Sequence, residues 1–324
     1  MVLSLKEIAD LAGVSQATAS RVINHSRGVR PLSRTKVESV LAQHTYAPDP
    51  RAVSLARGDE AWPSVVITLP RTLTPHFLAV LDGVREGFSG KKVHLVIREE
   101  EANQTAWRDS LLASGPAGFL VLCRGLSQAE RDYYHTRRIP YAILDFESKG
   151  QPCLVMNNHK GGEIAADYLF NKGVRRPYYI GTPGIREGVQ NGRWQGFSGY
   201  YESKGLSVNT FEIPSEGTSQ GFMEAGYKAV KELGWRDLST SPDGIFFFCD
   251  EMALGGVKAL REMDIFVPVI GYDGWVAAPF AGIATVKQPA KTVGLQGAEV
   301  LLKMLGGLDL PEFPLVFEPE LVGF

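Results

Sequence analysis

The sequence predicts an all-α headpiece joined to a larger α/β body of two doubly wound parallel-sheet lobes. Three observations carry this expectation. Residues 4–24 hold two short helical patterns set around a glycine. A net positive charge is confined to the first 58 residues, where 8 Lys and Arg face 4 Asp and Glu, a net of +4, while the remaining 266 residues carry a net of −6. From Trp62 onward, apolar runs of strand length alternate with helical segments for roughly 260 residues, more than one core usually organises.

The headpiece comes first. Ser4 and Glu7 have capping-box spacing, and Leu5, Ile8, Ala9 and Ala12 repeat at helical intervals. Gly13 ends that helix, because glycine tolerates the left-handed exit. Ser15 restarts a helix as N-cap, with Val14 placed to staple onto Ala19. In the second helix Ala19, Val22 and Ile23 turn inward. Gln16, Ala17, Ser20, Arg21 and Asn24 share the outer side, which is small, polar and basic. Such a helix-turn-helix suits a major groove about 12 Å wide, where Arg can fork onto guanine and Gln can pair with adenine. Ala17 offers only apolar contact, for instance with a thymine methyl. A solvated amphipathic helix pair is the bland alternative. Ser33 is the expected cap of a third helix that turns Val37, Val40 and Leu41 inward, with Leu32 and Val37 in staple positions. Asp49, Pro50 and Gly58 then bound a helix of about two turns, too short to persist unless DNA or a dimer partner holds it.

In the body, strands are expected over 64–69, 93–97, 118–122, 141–144, 178–180, 245–248 and 267–270. Helices are expected over 77–88, 105–114, 129–137, 161–172, 193–204, 223–233, 251–263 and 292–305. Open parallel sheets place ligands at the carboxyl ends of their strands. Asp145, Asp250 and Asp273 follow such strands, and Arg193 is expected to open a helix after the glycine-rich stretch 181–192. With Phe77, Phe222 and Trp275 nearby, these groups fit a pocket that pairs sugar hydroxyls and stacks on a sugar ring.

Other classes are set aside. No apolar run has the length to span a bilayer, and no basic segment precedes an apolar stretch at Met1–Ser4, so an unexported, cytoplasmic protein is expected. Cys123, Cys153 and Cys249 are odd in number and far apart, and the six His show no metal spacing, so neither metal nor cofactor is expected. Gly161-Gly162 and Gly181–Gly184 lack phosphate-loop spacing and read as turns. No nucleophile–base arrangement stands out.

Two motif runs carry a family resemblance. Ile8-Ala9, Ala12-Gly13-Val14-Ser15, Thr18, Ser20-Arg21-Val22 and Asn24, followed by Tyr46, Pro48, Ala52 and Leu55, resemble the LacI/GalR family of bacterial repressors. The likeness continues through Thr74–Phe77, Ile139–Asp145, Arg193–Phe197, Cys249–Gly255, Ile270–Asp273 and Ala284–Pro289. It implies that Ser15, Gln16, Ala17, Thr18, Ser20, Arg21 and Asn24 meet DNA, with Gln16, Ala17 and Arg21 reading bases and Leu55 wedged into the minor groove. It implies that Arg193 and Asp273 contact an effector, that Asp145 and Gln288 match further pocket positions, that His76 and Phe77 line the amino-terminal side of the cleft, and that Phe222 stands near a stacking aromatic. Asp250 and Trp275 join this set from their strand-end positions. Asp49 departs from the usual Asn, Val174 from a His and Gly274 from a second acid, and the 264–268 turn is short.

The expected division is a headpiece over 1–48, a hinge helix and linker over 49–61, and a body over 62–324 resembling periplasmic binding proteins. Its lobes are expected at about 62–156 plus 288–311, and 157–287 plus 312–324. The expected function is a homodimeric, operator-binding repressor of a carbohydrate-utilisation operon, with a sugar or sugar phosphate between the lobes. No Leu heptad follows Gly306, so dimer is the simplest assembly. A purine- or nucleoside-responsive regulator, a plain solute-binding protein and an enzyme on a doubly wound fold remain rivals.

Overall fold

The computed structural model describes residues 2–3, 5–23, 28–46, 62–70, 74–100, 115–184, 188–234 and 242–323. The expected hinge helix, Leu55, Asn24, Ser4 and the 105–114 helix lie outside them.

Three helices build the headpiece: α1 (Leu5–Ala12), α2 (Gln16–Ile23) and α3 (Pro31–Gln43). Gly13, at φ 63°, makes the turn between the first two. Ser15 caps α2 by accepting the Thr18 amide at 3.2 Å. Ile8, Ala9, Ala12, Ala19, Val22 and Val37 form a small core, with Val14, Ile23, Val40 and Leu41 packed against it. Ser33 is not the cap of α3. The helix begins two residues earlier, with Pro31 at its first position, where a fixed φ and a missing amide cost nothing. A two-residue parallel pair, β1 (Val2–Leu3) with β2 (Thr45–Tyr46), ties the two ends of the headpiece together.

The first lobe contains β3 (Ser64–Pro70), α4 (Pro75–Gly87), β4 (His94–Glu100), β5 (Gly118–Leu122), α5 (Gln128–Arg137), β6 (Tyr141–Leu144) and β7 (Cys153–Met156). The second contains α6 (Asn158–Asn171), β8 (Pro177–Gly181), α7 (Gly188–Glu202), β9 (Asn209–Glu212), α8 (Ser219–Leu233), β10 (Gly244–Phe247), α9 (Asp250–Glu262), β11 (Val269–Asp273), α10 (Ala277–Phe280) and β12 (Ala284–Lys287). The chain returns through α11 (Ala290–Gly306) to β13 (Leu315–Phe317), then crosses again to β14 (Glu320–Val322).

The sheets run β13-β7-β6-β5-β3-β4 and β14-β12-β11-β10-β8-β9. All pairings are parallel except β12 with β14. Both faces of each sheet are covered, so the strands read as continuous apolar runs. Along β3, Val65, Ile67 and Leu69 enter one core cluster and Val66 the other. In the second lobe Tyr179, Phe246 and Ile270 pack on one face, Ile180, Ile245 and Val269 on the other.

The return to the second sheet comes later than expected. Residues 315–317 pair with β7 in the first sheet, so the chain crosses between Phe317 and Glu320 rather than at 312. The three crossings are therefore Asn157, Gln288-Pro289 and Glu318-Pro319. The first and third are tied by the Asn157 side-chain Nδ2 donating to Glu318 Oε1 at 2.9 Å.

Glycines set how closely the covering helices approach. A Cβ on Gly83 would lie 1.9 Å from the Lys291 carbonyl oxygen, and one on Gly294 1.9 Å from that of Val80. Gly162 and Gly196 do the same for α6 and α7, and Gly226 and Gly255 for α8 and α9. Gly161-Gly162 is thus not a turn. It lies inside α6, where a Cβ on Gly161 would also strike the Tyr272 hydroxyl at 2.0 Å.

Candidate ligand cleft and DNA-contacting face

In both sheets the strand order reverses beside the first strand of the lobe, β3 or β8, and the cleft residues gather at the carboxyl ends there. Cys123 follows β5 at φ 59°, Asp145 follows β6 at φ 55°, and Asp273 ends β11 at φ 104°. Three non-glycine residues with positive φ therefore stand at carboxyl strand ends, two on adjacent strands of the first sheet and one in the second.

His76 sits in the first turn of α4, whose N-cap is Thr74 and whose first residue is Pro75. Its Nε2 lies 2.8 Å from Asp145 Oδ2, and the Cys123 thiol donates to the same oxygen at 3.4 Å. On the other lobe, Arg193 holds three partners. Its Nε donates to Asn158 Oδ1 at 3.0 Å, Nη1 to the Phe248 carbonyl at 2.7 Å, and Nη2 approaches Asp273 Oδ1 at 3.5 Å. The guanidinium also stacks 3.8 Å from the Tyr272 ring centroid and 4.9 Å from that of Phe248.

Gln288 joins the two halves. Its Nε2 donates to Asp273 Oδ1 at 2.6 Å and lies 3.5 Å from His76 Nδ1. Because Gln288 occupies the second crossing, a continuous polar chain runs Cys123–Asp145–His76–Gln288–Asp273–Arg193–Asn158 from one lobe to the other. His76, Asp145, Arg193 and Gln288 are all buried.

Electrostatics follow from that burial. Burial pulls the His76 pKa down, but the Asp145 carboxylate outweighs it and leaves the imidazole above its usual value. Burial raises Asp273, against the pull of Arg193. Burial lifts Glu251 to about 7, helped by the Asp273 charge. Both Cys123 and Cys249 are pushed well up by burial, so neither is an activated thiolate.

Asp250 has a different place from the one its strand-end position suggested. It is fully buried, and its Oδ2 accepts the Trp275 amide at 2.6 Å and the Thr285 hydroxyl at 2.9 Å. It braces the loop after β11 instead of facing the cleft. Trp275 contributes its backbone to that brace. Phe222 packs edge-tilted on Phe248 at 5.9 Å, one ring removed from Arg193, and Phe77 lies edge-on to His76 at 5.5 Å. Arg193 does not open α7 but lies in its second turn, since the helix starts at Gly188. Asn158, Tyr272 and Phe248, which hold Arg193, were not singled out by strand-end position, because each acts on Arg193 from the side. The Gly161 clash distance is the one local sign that Tyr272 must lie close.

On the headpiece, Ser15, Gln16, Ala17 and Arg21 are exposed and Thr18 and Ser20 half-buried, all on the side of α2 opposite the core. Ser15 Oγ also lies 2.9 Å from the Thr18 hydroxyl.

Residues 4–49 match the model of bacterial regulatory proteins of the lacI family, and residues 166–322 match a periplasmic binding protein-like domain. The amino-terminal segment thus matches the lacI family, and the body matches a periplasmic binding protein-like domain. Relatives span it almost end to end. The HTH-type transcriptional repressor PurR of Vibrio cholerae serotype O1 is 28% identical, covering 98% of this chain and 96% of its own. The ribose operon repressor of Escherichia coli K12 is also 28% identical, covering 98% of each. Among solved structures, a CelR–cellobiose complex superposes with a TM-score of 0.67 at 23% identity, over 98% of both chains. A lac repressor dimer bound to operator gives 0.66 at 19%, over 99% of this chain and 98% of that one. The chain shares their fold, and the two relatives are a transcriptional repressor and an operon repressor. No helix among the described residues is long and apolar enough to cross a membrane.

Proposed function

We propose that this protein is a homodimeric, operator-binding transcriptional repressor of a carbohydrate-utilisation operon, working in the cytoplasm, whose grip on DNA is set by a sugar in the interlobe cleft. The observation that carries this is the polar chain through Gln288, which joins an acid on each lobe across the crossing segments. A ligand placed between Asp145 and Asp273 must exchange bonds with that chain and so favours one lobe arrangement over another. Only such a difference in affinity can move the headpieces.

Gln16, Ala17 and Arg21 are the base-reading residues of this proposal, with Ser15, Thr18, Ser20 and Asn24 around them and Leu55 at the operator centre. His76, Asp145, Arg193, Asp273 and Gln288 hold the ligand, with Phe77, Phe222 and Trp275 at its margin. PurR and the ribose repressor are equally similar to this chain, so identity does not choose between purine and sugar. The paired carboxylates do, because they accept hydroxyl donors from a sugar ring, and the cellobiose complex and ribose-bound relatives bind such ligands in the same fold. A thermal-shift screen of sugars and purines, followed by operator titration with each hit, tests the reading. A purine that stabilises the body while no sugar does would overturn it.

A further inference from the structure

Resting on that sugar reading, we propose that the cleft selects an uncharged polyol and rejects the phosphorylated or carboxylated form of the same sugar. Anion sites in proteins are built from unspent cations and open helix N-termini. Among the described residues, the cations of the ligand set and several helix starts are already spent on the chain's own groups.

Four basic side chains beside the cleft-side strand ends each have an acid partner. His76 faces Asp145 at 2.8 Å, Arg193 faces Asp273 at 3.5 Å, Arg124 meets Glu130 at 2.9 Å and Lys287 meets Glu320 at 2.9 Å. Arg193 is the family's expected ligand arginine, yet its guanidinium is fixed on three sides and stacked between two rings. To clasp a phosphate with its fork it would abandon Asp273, leaving a buried carboxylate beside an incoming dianion.

Three helix starts are occupied by caps of their own, while α11, which follows Gln288, opens at Pro289 without a side-chain cap. Thr74 accepts the Phe77 amide at the head of α4, Asn157 that of Lys160 at α6, and Thr218 that of Gly221 at α8. α9 carries Asp250 and Glu251 in its first turn, so its positive end already faces two of its own acids. Glu251 also accepts from Ser219 at the head of α8 at 3.2 Å.

What the cleft does offer is acceptors. Asp145 and Asp273 present carboxylate oxygens from opposite lobes, and the Gln288 Oε1 is buried with no partner. Acceptors call for hydroxyl donors and repel a second anion. The structure thus separates two ligand classes that strand-end residues alone left together.

Isothermal titration of the full chain with matched pairs decides it: ribose and ribose 5-phosphate, glucose and glucose 6-phosphate, fructose and fructose 6-phosphate, glucose and gluconate. In any pair that binds, the free sugar is expected to bind at least tenfold tighter. A smaller preference, or a reversed one, overturns this inference and leaves the sugar reading standing. If no member of any pair binds while a purine does, the sugar reading itself fails and this inference with it.

Discussion

Arg193 shows how much one side chain here depends on its neighbours. Replacing it with Ala leaves Asp273 buried beside Gln288 without its cation, which should cost the body roughly 3–5 kcal/mol in urea unfolding. Below the melting temperature operator affinity should stay near that of the parent while the sugar response is lost. A full response in Arg193→Ala would remove it from the ligand set. On the headpiece, Arg21→Ala should cost roughly 1–3 kcal/mol of operator binding and relax preference at one base, read by titrating operator variants. Equal weakening on every sequence would make Arg21 a phosphate contact instead. Glu251 gives a pH signature. Its folded pKa of about 7 stands above its ordinary 4.5, so between those values the native state keeps a proton that the unfolded chain has lost. That contribution is complete in acid and disappears as pH rises through the window; Asp250, Asp273 and His76 are shifted in the same direction. Melting temperature should therefore fall from about pH 5 to about pH 7.5, and Glu251→Gln should flatten the fall. Arg193, Asp273, Asp145 and Gln288 were legible as motif or strand-end positions. The role of Gln288 as the link between lobes was not, since it depends on where the second crossing passes.

At the scale of elements, the three helix pairs share one device. α4 with α11, α6 with α7 and α8 with α9 each cross where a glycine from either helix meets the backbone of the other. A glycine inside a helix costs about 1 kcal/mol against alanine, so six of them at matched places need a packing reason. Gly294→Ala would drive its Cβ into the Val80 carbonyl, and the expected loss is roughly 1–3 kcal/mol or more, visible as a lowered melting temperature. Unchanged stability would mean that the α4–α11 contact slides freely. Among the described residues the helices other than the short α10 were legible from apolar spacing, while several starts were not. Pro31 displaced Ser33 as the opening of α3, and α7 began five residues before Arg193. Strands β7, β9, β12, β13 and β14, each of three or four residues, went unread; at that length a strand shows only where an apolar run stands out, as at β6 and β10. Without β13 in view, the final return between sheets was placed too early.

For the whole molecule, the charge division seen in the sequence matches its two tasks. The net of +4 falls in the first 58 residues, the segment that contains the headpiece, and the −6 of the remainder keeps the body from competing for phosphate. Three short crossings carry the chain between the two sheets, so a ligand that bridges Asp145 and Asp273 acts at the place where a small rotation moves whole lobes. The coupling expected of such a device is about 1–3 kcal/mol, or roughly 5–150-fold in operator affinity. The most direct measurement is a fluorescence-anisotropy titration of the full chain on promoter fragments against bulk genomic competitor, with and without the sugar that stabilises the body. One fragment should be preferred by roughly a thousandfold or more, and the sugar should shift that affinity at least about fivefold. A chain that prefers no fragment, or one whose preference no bound sugar alters, would contradict the account.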